Sequence, residues 1–265
     1  MNPQPTVARA LITGASTGIG RSFAEILAEQ GTDLVLVARD TKRLDELAAQ
    51  IRDQHSRHVQ VLTADLTRAD ELATVAERLS SDPAIDLLVN NAGFGSSGFF
   101  ADLDLELAEG QIDLNIKALT KLAHAALSRM RSAGTGSIIN LASGAAFLPT
   151  PGAAVYAATK AYVTSFSQAL HEEVSDDGIT VTAVCPGFTR TEFQVRGSFA
   201  TEGVPDFAWQ SAEDVVHESL DALSRREVVR ITGRPNRAML GLVRLLPLSR
   251  IASLAARFTP GAGKH

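Results

Sequence analysis

The sequence has very little cysteine and few aromatic residues. Its 265 residues include one cysteine, Cys185, so no internal disulfide can form, and they include one tryptophan and two tyrosines. Scarce cysteine is typical of proteins from a reducing compartment, and we expect a cytoplasmic protein. We interpret Cys185 as a small buried hydrophobic residue rather than a nucleophile, because free cysteine is among the most buried residue types.

Long hydrophobic runs are also absent. No apolar stretch reaches the roughly 18 residues that a membrane-spanning helix needs. The first residues lack a charged segment followed by an apolar one, so we expect no signal peptide. The six histidines show no HExxH or similar spacing, and we therefore predict no metal site.

Acidic residues are missing from one end of the chain. Residues 228–265 contain seven Lys/Arg and no Asp/Glu, whereas the first 227 residues contain 18 Lys/Arg and 30 Asp/Glu. Such an acidic body argues against a nucleic-acid-binding protein.

The basic tail at 232–265 has helical patterns on both sides of Pro247. In the second pattern, apolar residues follow the i, i+3, i+4, i+7 spacing of an amphipathic helix. These residues are Ile251, Leu254, Ala255 and Phe258. Two roles fit this tail: docking on its own acidic body or a second subunit, or peripheral contact with an anionic membrane through residues 236–258.

Short apolar runs alternate with longer amphipathic segments along the rest of the chain. The apolar runs are continuous, which is typical of strands buried on both faces of a parallel sheet. They lie at 9–14, 33–38, 59–65, 85–93, 136–143 and 179–187, and the main helical patterns lie at 20–31, 41–55, about 105–130 and 154–174. This rhythm predicts an α/β fold with a doubly wound parallel sheet in a single domain, 1–231.

Glycines mark the turn after the first strand. Gly14, Gly18 and Gly20 separate that strand from a helix, which suits the close approach of a dinucleotide pyrophosphate to a helix N-terminus. After the second strand, Ala38 stands where an acid would bind the ribose of NAD, and Arg39 follows it. We therefore predict NADP(H), while Asp40 leaves NAD(H) as the alternative.

Tyr156 and Lys160 stand four apart in the segment YAATK. That spacing places both side chains on one face of a helix. An ammonium beside a phenol lowers the phenol pKa, which would suit Tyr156 to general acid–base catalysis. Alone, the pair also fits two unrelated residues on an amphipathic helix.

Several motifs occur in one order: TGASTGIG at 13–20, NNAG at 90–93, Asn115, Ser143, YAATK at 156–160 and PGFTRT at 186–191. Over about residues 7–231 this order resembles the classical short-chain dehydrogenase/reductase family. The resemblance implies a Rossmann-like sheet of about seven strands in the order 3-2-1-4-5-6-7, flanked by helices and followed here by a helical tail. It also implies hydride transfer between a nicotinamide cofactor and a carbonyl or secondary alcohol.

The same resemblance implies a role for each catalytic position. Tyr156 would be the acid–base, and Lys160 would bind the nicotinamide ribose and lower the pKa of Tyr156. Ser143 would donate a hydrogen bond to the substrate oxygen, and Asn115 would hold a relay water. From the residues alone, Ser143 also fits a helix cap and Asn115 a helix kink.

The cofactor-binding positions follow from the resemblance in the same way. Asp65 would bind the adenine amino group, although it also fits a turn or N-cap residue, and Pro186, Gly187 and Thr189 would hold the nicotinamide carboxamide. The full set is Gly14, Ser16, Thr17, Gly18, Ile19, Gly20, Arg39, Asp65, Leu66, Asn91, Ala92, Gly93, Tyr156, Lys160, Pro186, Gly187 and Thr189. Family members commonly form homodimers or homotetramers, and we expect one of these.

The resemblance also implies that residues 190–210 form a lid over the substrate. Its aromatic residues, together with Phe94 and Phe147, fit either a pocket for a bulky apolar substrate or an ordinary hydrophobic cap. They are Phe193, Phe199, Phe207 and Trp209. A cofactor-binding regulator or scaffold with the same fold and no turnover is the rival function, and an epimerase or dehydratase is a further one. The intact set Asn115, Ser143, Tyr156 and Lys160 favours the oxidoreductase.

Overall fold

The computed structural model describes residues 7–199, 201 and 204–243. The predicted amphipathic pattern at 251–258 lies outside the described residues. Within them, seven parallel strands form one sheet in the order β3-β2-β1-β4-β5-β6-β7, which confirms the predicted fold class. The strands are β1 (Arg9–Thr13), β2 (Asp33–Ala38), β3 (Val59–Thr63), β4 (Leu87–Asn90), β5 (Gly136–Leu141), β6 (Ile179–Cys185) and β7 (Val229–Ile231).

Helices connect the strands. In the described part of the chain they are α1 (Gly18–Glu29), α2 (Thr41–His55), α3 (Ala69–Ser80), α4 (Leu105–Ile112), α5 (Leu119–Ala133), α6 (Ala154–Val174), α7 (Phe193–Arg196), α8 (Ala212–Ser224) and α9 (Arg234–Val243). The structure confirms the predicted bounds of α2 and α6. It divides the predicted helix at 105–130 by a π-helical segment, Asp113–Ala118. None of the helices in these ranges is both long and apolar enough to cross a bilayer.

Both faces of the sheet are covered, which explains the continuous apolar runs. In β1, Ala10 and Ile12 join a cluster with α1, α2 and α8, whereas Leu11 joins a second cluster with α3, α5 and α6. Because successive side chains in a strand point to opposite faces, consecutive residues in the middle of such a strand are apolar.

The parallel direction of the strands brings their carboxyl ends to one edge of the sheet. Gly14 follows β1, Asn91 follows β4, Ser143 follows β5 and Pro186 follows β6. The strand order reverses between β1 and β4, and open α/β sheets bind ligands beside such a switch point.

Candidate active site

The glycine turn between β1 and α1 fits a pyrophosphate. Gly14 and Gly18 have φ values of +66° and +54°, which favour glycine. A Cβ on Gly20 would lie 2.3 Å from the Gly14 carbonyl oxygen, so the turn and helix pack too closely for a side chain. Ser16, Thr17, Gly18 and Ile19 are half-exposed on the turn. Thr17 makes no side-chain cap hydrogen bond and the first turn of α1 contains no acid, so the positive helix end is open to an anion.

The segment after β4 is tied to this turn by Thr13 and Asn91. The Thr13 hydroxyl accepts hydrogen bonds from the Asn91 and Ala92 amides at 3.0 and 2.9 Å. The Asn91 amide group donates to the carbonyl oxygens of Thr13 and Gly14 at 2.9 and 3.2 Å. Asn91 therefore fixes the shape of the predicted cofactor turn through the backbone.

At the end of β2, Asp40 serves as the N-cap of α2. Its carboxylate accepts a hydrogen bond from the Arg43 amide at 3.1 Å and lies 3.5 Å from the Arg43 guanidinium. Arg39 is largely exposed, and its guanidinium lies 3.8 Å from the carboxylate of Asp65. Asp40, the acid that leaves NAD(H) as an alternative, is thus engaged as the cap of α2 and by the neighbouring Arg43 guanidinium.

Asp65 lies beside Arg39 at the same end of the site. Burial raises the pKa of Asp65, but hydrogen bonds from Thr67 and the positive charges of Arg39 and Arg68 outweigh it, so the net pKa is lowered. Its contacts with the Thr67 amide and hydroxyl, at 3.0 and 2.7 Å, are those of a turn residue. The side chain of Leu66 is buried in the core.

Asn115 lies in the π-helical segment, which turns its side chain toward the segment after β4. Its carboxamide oxygen accepts from the Phe94 amide at 3.1 Å, and its NH₂ group donates to the Phe94 carbonyl at 2.8 Å. The same NH₂ donates to the Thr159 hydroxyl on α6 at 3.1 Å. A Cβ on Gly93 would lie 2.9 Å from the Asn115 oxygen and 3.4 Å from the Lys160 ammonium, so a side chain there would press on both groups. Asn115 therefore joins α6 to the predicted cofactor segment, and its relay water stays a prediction.

Tyr156 and Lys160 lie together on one buried face of α6. The Lys160 Nζ donates to the Leu141 carbonyl at 2.7 Å and lies 5.9 Å from the centroid of the Tyr156 ring. Burial lowers the pKa of Lys160 from 10.5 to about 8. The expected lowering of the Tyr156 pKa is not met in this structure, because burial raises it from 10.0 to about 12 and the Ser143 hydrogen bond offsets only part of that rise.

Ser143 caps a turn and also contacts Tyr156, and its hydrogen bond to the substrate oxygen stays a prediction. Its hydroxyl accepts from the Ala145 amide at 3.2 Å and so caps the 3₁₀ turn Gly144–Phe147. It is also hydrogen-bonded to Tyr156. The Ser143 hydroxyl, a hydrogen-bond donor, and the Tyr156 phenol, an acid, are therefore adjacent just past the carboxyl end of β5.

Three other parts of the chain contact the segment after β6 and position it. The Pro186 carbonyl accepts from the Gly144 amide at 2.8 Å, and Thr189 forms a β-bridge with Gln210. A Cβ on Gly187 would lie 2.1 Å from the side chain of Asn236. Since Asn236 belongs to α9, the start of the basic tail region takes part in shaping the predicted nicotinamide segment.

The aromatic residues of the predicted lid divide into two groups. The rings of Phe193 and Phe199 lie 5.6 and 5.5 Å from the ring of Tyr156 and pack against it. Trp209 instead packs on Phe188 at 5.5 Å and beneath the Arg190 guanidinium at 5.3 Å. Phe207 is 73% exposed.

Four further residues bear on the site although the sequence predicted no role there for any of them. Arg43 pairs with Glu192 across the site at 2.9 Å, Thr13 holds the turn, and Asn236 packs on Gly187. No local signal marks Arg43 or Glu192, since they are 149 residues apart. In the described ranges, no group of three or more His, Cys, Asp or Glu side chains is placed to hold a metal ion.

Comparison with known proteins agrees with this geometry. The sequence profile of the short chain dehydrogenase family matches residues 8–198. A short-chain dehydrogenase from Sphingobium yanoikuyae, solved in complex with NADPH, is 42% identical, with a TM-score of 0.81 over 91% of this chain and 96% of that one. A bulky-bulky ketone specific alcohol dehydrogenase from Comamonas testosteroni is 36% identical, with a TM-score of 0.78 over 96% and 100%.

An uncharacterised oxidoreductase of Staphylococcus saprophyticus is 39% identical over 69% of this chain and 78% of its own length. The profile match spans the glycine turn, the segment after β4 and the Tyr156–Lys160 pair, which are the parts that the fold brings to one edge of the sheet. This chain therefore belongs to the short-chain dehydrogenase/reductase family.

Proposed function

We propose that this protein is an NADPH-dependent oxidoreductase that interconverts a bulky, apolar ketone and its secondary alcohol. The observation that supports this most strongly is the convergence of Ser143, Tyr156 and Lys160 at the carboxyl ends of the strands, beside the glycine turn. Each side chain is fixed by a hydrogen bond or by burial.

The reduction places different tasks on the three side chains. When bound, the nicotinamide supplies the hydride. The phenol of Tyr156, whose pKa is about 12, stays protonated through the neutral range, which is the form needed to give a proton to the carbonyl oxygen. Ser143 donates a hydrogen bond to the same oxygen, and Lys160 places positive charge near the phenolate that remains.

The preference for NADPH rests on the end of β2. Arg39 and Arg43 put two guanidinium groups near the site of the adenosine ribose, and Arg43 partly neutralises Asp40. An Arg at this position accommodates a 2′-phosphate, whereas a free acid binds the ribose hydroxyls of NAD. The similar Sphingobium enzyme was solved with NADPH, and NAD(H) is the alternative.

The preference for a bulky apolar substrate rests on the surroundings of Tyr156. Phe193 and Phe199 cover its ring, and the adjoining cavity has a volume of only 10 Å³, which is room for about one water. We infer that the substrate displaces these two rings and packs between them and the loop after β4. The similar Comamonas enzyme is specific for ketones that are bulky on both sides.

The test is oxidation of NADPH and NADH with a panel of carbonyls from small aldehydes to ketones carrying two large substituents. Tyr156→Phe is compared with Tyr162→Phe, the matched control, because Tyr162 is the other tyrosine, lies on the same helix and is 37% exposed. We expect Tyr156→Phe to lose about 100-fold or more in turnover and to keep its cofactor affinity, while Tyr162→Phe stays active. Turnover retained by Tyr156→Phe would refute the assigned acid.

The rival function is a cofactor-binding regulator without turnover. It predicts tight NADPH binding, no oxidation with any carbonyl, and no difference between Tyr156→Phe and wild type. The fixed geometry of Ser143, Tyr156 and Lys160 favours the enzyme, because a regulator would not need a donor beside a buried acid.

We also propose that the chain forms a homodimer or homotetramer. Large apolar side chains are exposed on α4 and α6, including Leu105, Leu107 and Tyr162 at 62%, 41% and 37%. We propose that these exposed side chains lie at the contact between copies of the chain. Equilibrium sedimentation should give a mass of two or four chains, and replacing Leu105 and Leu107 by Ser should lower it.

A further inference from the structure

An ion pair between Arg43 on α2 and Glu192, the residue before α7, spans the edge of the sheet that carries the site. The Arg43 Nη1 donates to both carboxylate oxygens of Glu192, at 2.9 and 3.1 Å. Glu192 also pairs with Arg196 one turn along α7. The two positive charges, with the Arg43 hydrogen bond first, lower the pKa of Glu192, so the carboxylate stays ionised and paired in the neutral range.

Arg43 stands at the end of the site that distinguishes the two cofactors. It lies in the first turn of α2, just after Asp40 and Arg39, and its guanidinium lies 3.5 Å from the Asp40 carboxylate. An Arg near the end of β2 accommodates the 2′-phosphate of NADP. In this structure, however, Nη1 of Arg43 gives its hydrogen bonds to Glu192.

Glu192, the other member of the ion pair, directly precedes the residues that cover the ring of Tyr156. The next residue, Phe193, packs on the Tyr156 ring at 5.6 Å. The preceding residue, Thr191, rests on the glycine turn, since a Cβ on Gly18 would lie 3.1 Å from its methyl group. The Arg43–Glu192 pair therefore fastens α7 over both the turn and Tyr156.

We propose that the 2′-phosphate of NADPH replaces Glu192 at Arg43, and that this exchange frees α7 from its position over Tyr156. The proposal rests on the proposed function, because it assumes that an NADP(H)-type nucleotide binds in this groove. A phosphate carries about −1.5 to −2 charges at neutral pH and offers three acceptor oxygens, so it competes well against a single carboxylate. The pair is half exposed and an exposed pair is weak, which lets the exchange proceed. NADH has no 2′-phosphate and would leave the Arg43–Glu192 pair intact.

The exchange can be tested without turnover by calorimetric titration of adenosine 2′,5′-bisphosphate and adenosine 5′-diphosphate. We expect Arg43→Gln to weaken the bisphosphate about tenfold or more and to leave the diphosphate nearly unchanged. Glu192→Gln should tighten the bisphosphate about two- to fivefold and have no effect in the Arg43→Gln background. Lys42→Gln is the matched control, because Lys42 is the adjacent cation on α2 and its side chain is 87% exposed.

The sole tryptophan gives a second readout of the release of α7. Trp209 packs beneath Arg190, two residues before Glu192, so its emission should change when the bisphosphate binds. Glu192→Gln should produce part of that change with no ligand present, and the diphosphate should produce little.

The outcomes separate the two proposals. A chain that binds neither nucleotide would overturn the proposed function together with this inference. Tight bisphosphate binding that responds equally to Arg43→Gln and Lys42→Gln, or that weakens in Glu192→Gln, would overturn the exchange alone. The exchange is supported only if the effect of Glu192→Gln is specific to the bisphosphate and depends on Arg43.

Discussion

The buried ammonium of Lys160 should make the stability of this protein depend on pH in a predictable way. Lys160 is 5% exposed, and burial lowers its pKa from 10.5 to about 8. Replacing it by Met keeps a long side chain of similar volume and removes the charge. The pKa difference corresponds to about 3 kcal/mol of unfolding free energy.

The sign of this effect follows from where the proton binds. Between pH 8 and 10.5 the unfolded chain holds the Lys160 proton and the folded chain does not, so stability rises with pH. The contribution is therefore fully present above pH 10.5 and is lost as the pH falls through about 8. Relative to Lys160→Met, the wild type should become more stable by about 3 kcal/mol between pH 7 and pH 10.5.

Urea unfolding of both chains, in the absence of cofactor and at several pH values, measures this difference. Lys160→Met also removes the hydrogen bond to the Leu141 carbonyl. That loss changes the unfolding free energy by the same amount at every pH, so the pH dependence of the difference between the two chains is unaffected. Lys42→Met controls for losing a lysine whose ammonium stays in water and should run parallel to the wild type. A pH-independent difference between wild type and Lys160→Met would refute the assignment of a buried, poorly solvated ammonium.

Three further perturbations test other parts of the site. Gly20→Ala should lower NADPH affinity at least tenfold, measured by fluorescence titration, because its Cβ would lie 2.3 Å from the Gly14 carbonyl; unchanged affinity would contradict the close packing of the turn. Asn236→Ala should raise the KM for NADPH several-fold with a smaller change in kcat, because Asn236 shapes the segment at Gly187, and an effect on kcat alone would contradict it. Phe193→Ala with Phe199→Ala, in a Tyr162→Phe background, should lower the pKa of Tyr156 from about 12 toward 10. Ultraviolet titration of that single phenol measures it, and an unchanged pKa would show that other groups desolvate it.

The sequence was sufficient to predict the elements that local chemistry controls. The continuous apolar runs predicted a doubly covered parallel sheet, because a strand with helices on both faces has no polar side. The bounds of α2 and α6 follow from their helical patterns, and the structure adds the Asp40 cap that begins α2. The glycines at 14, 18 and 20 predicted a phosphate turn, because positive φ and close packing exclude most side chains.

Other features depend on contacts between distant residues. β7 has three residues, too few to produce an apolar run. In the π-helical segment, Asn115 is hydrogen-bonded to Phe94 and Thr159, which its own neighbours in sequence do not reveal. The predicted direction of the Tyr156 pKa shift considered only Lys160, and burial of the phenol in the folded chain reversed it.

Residue types, glycine positions and the i, i+4 spacing are local properties, so they can be used to predict from the sequence which residues are available for chemistry. The environment of each group depends on how the chain packs. Burial set the direction of the Tyr156 and Lys160 pKa shifts, and chain folding brought Arg43 to Glu192 across 149 residues. Desolvation and long-range pairing depend on what surrounds an atom in space, and that is fixed only when the whole chain is packed.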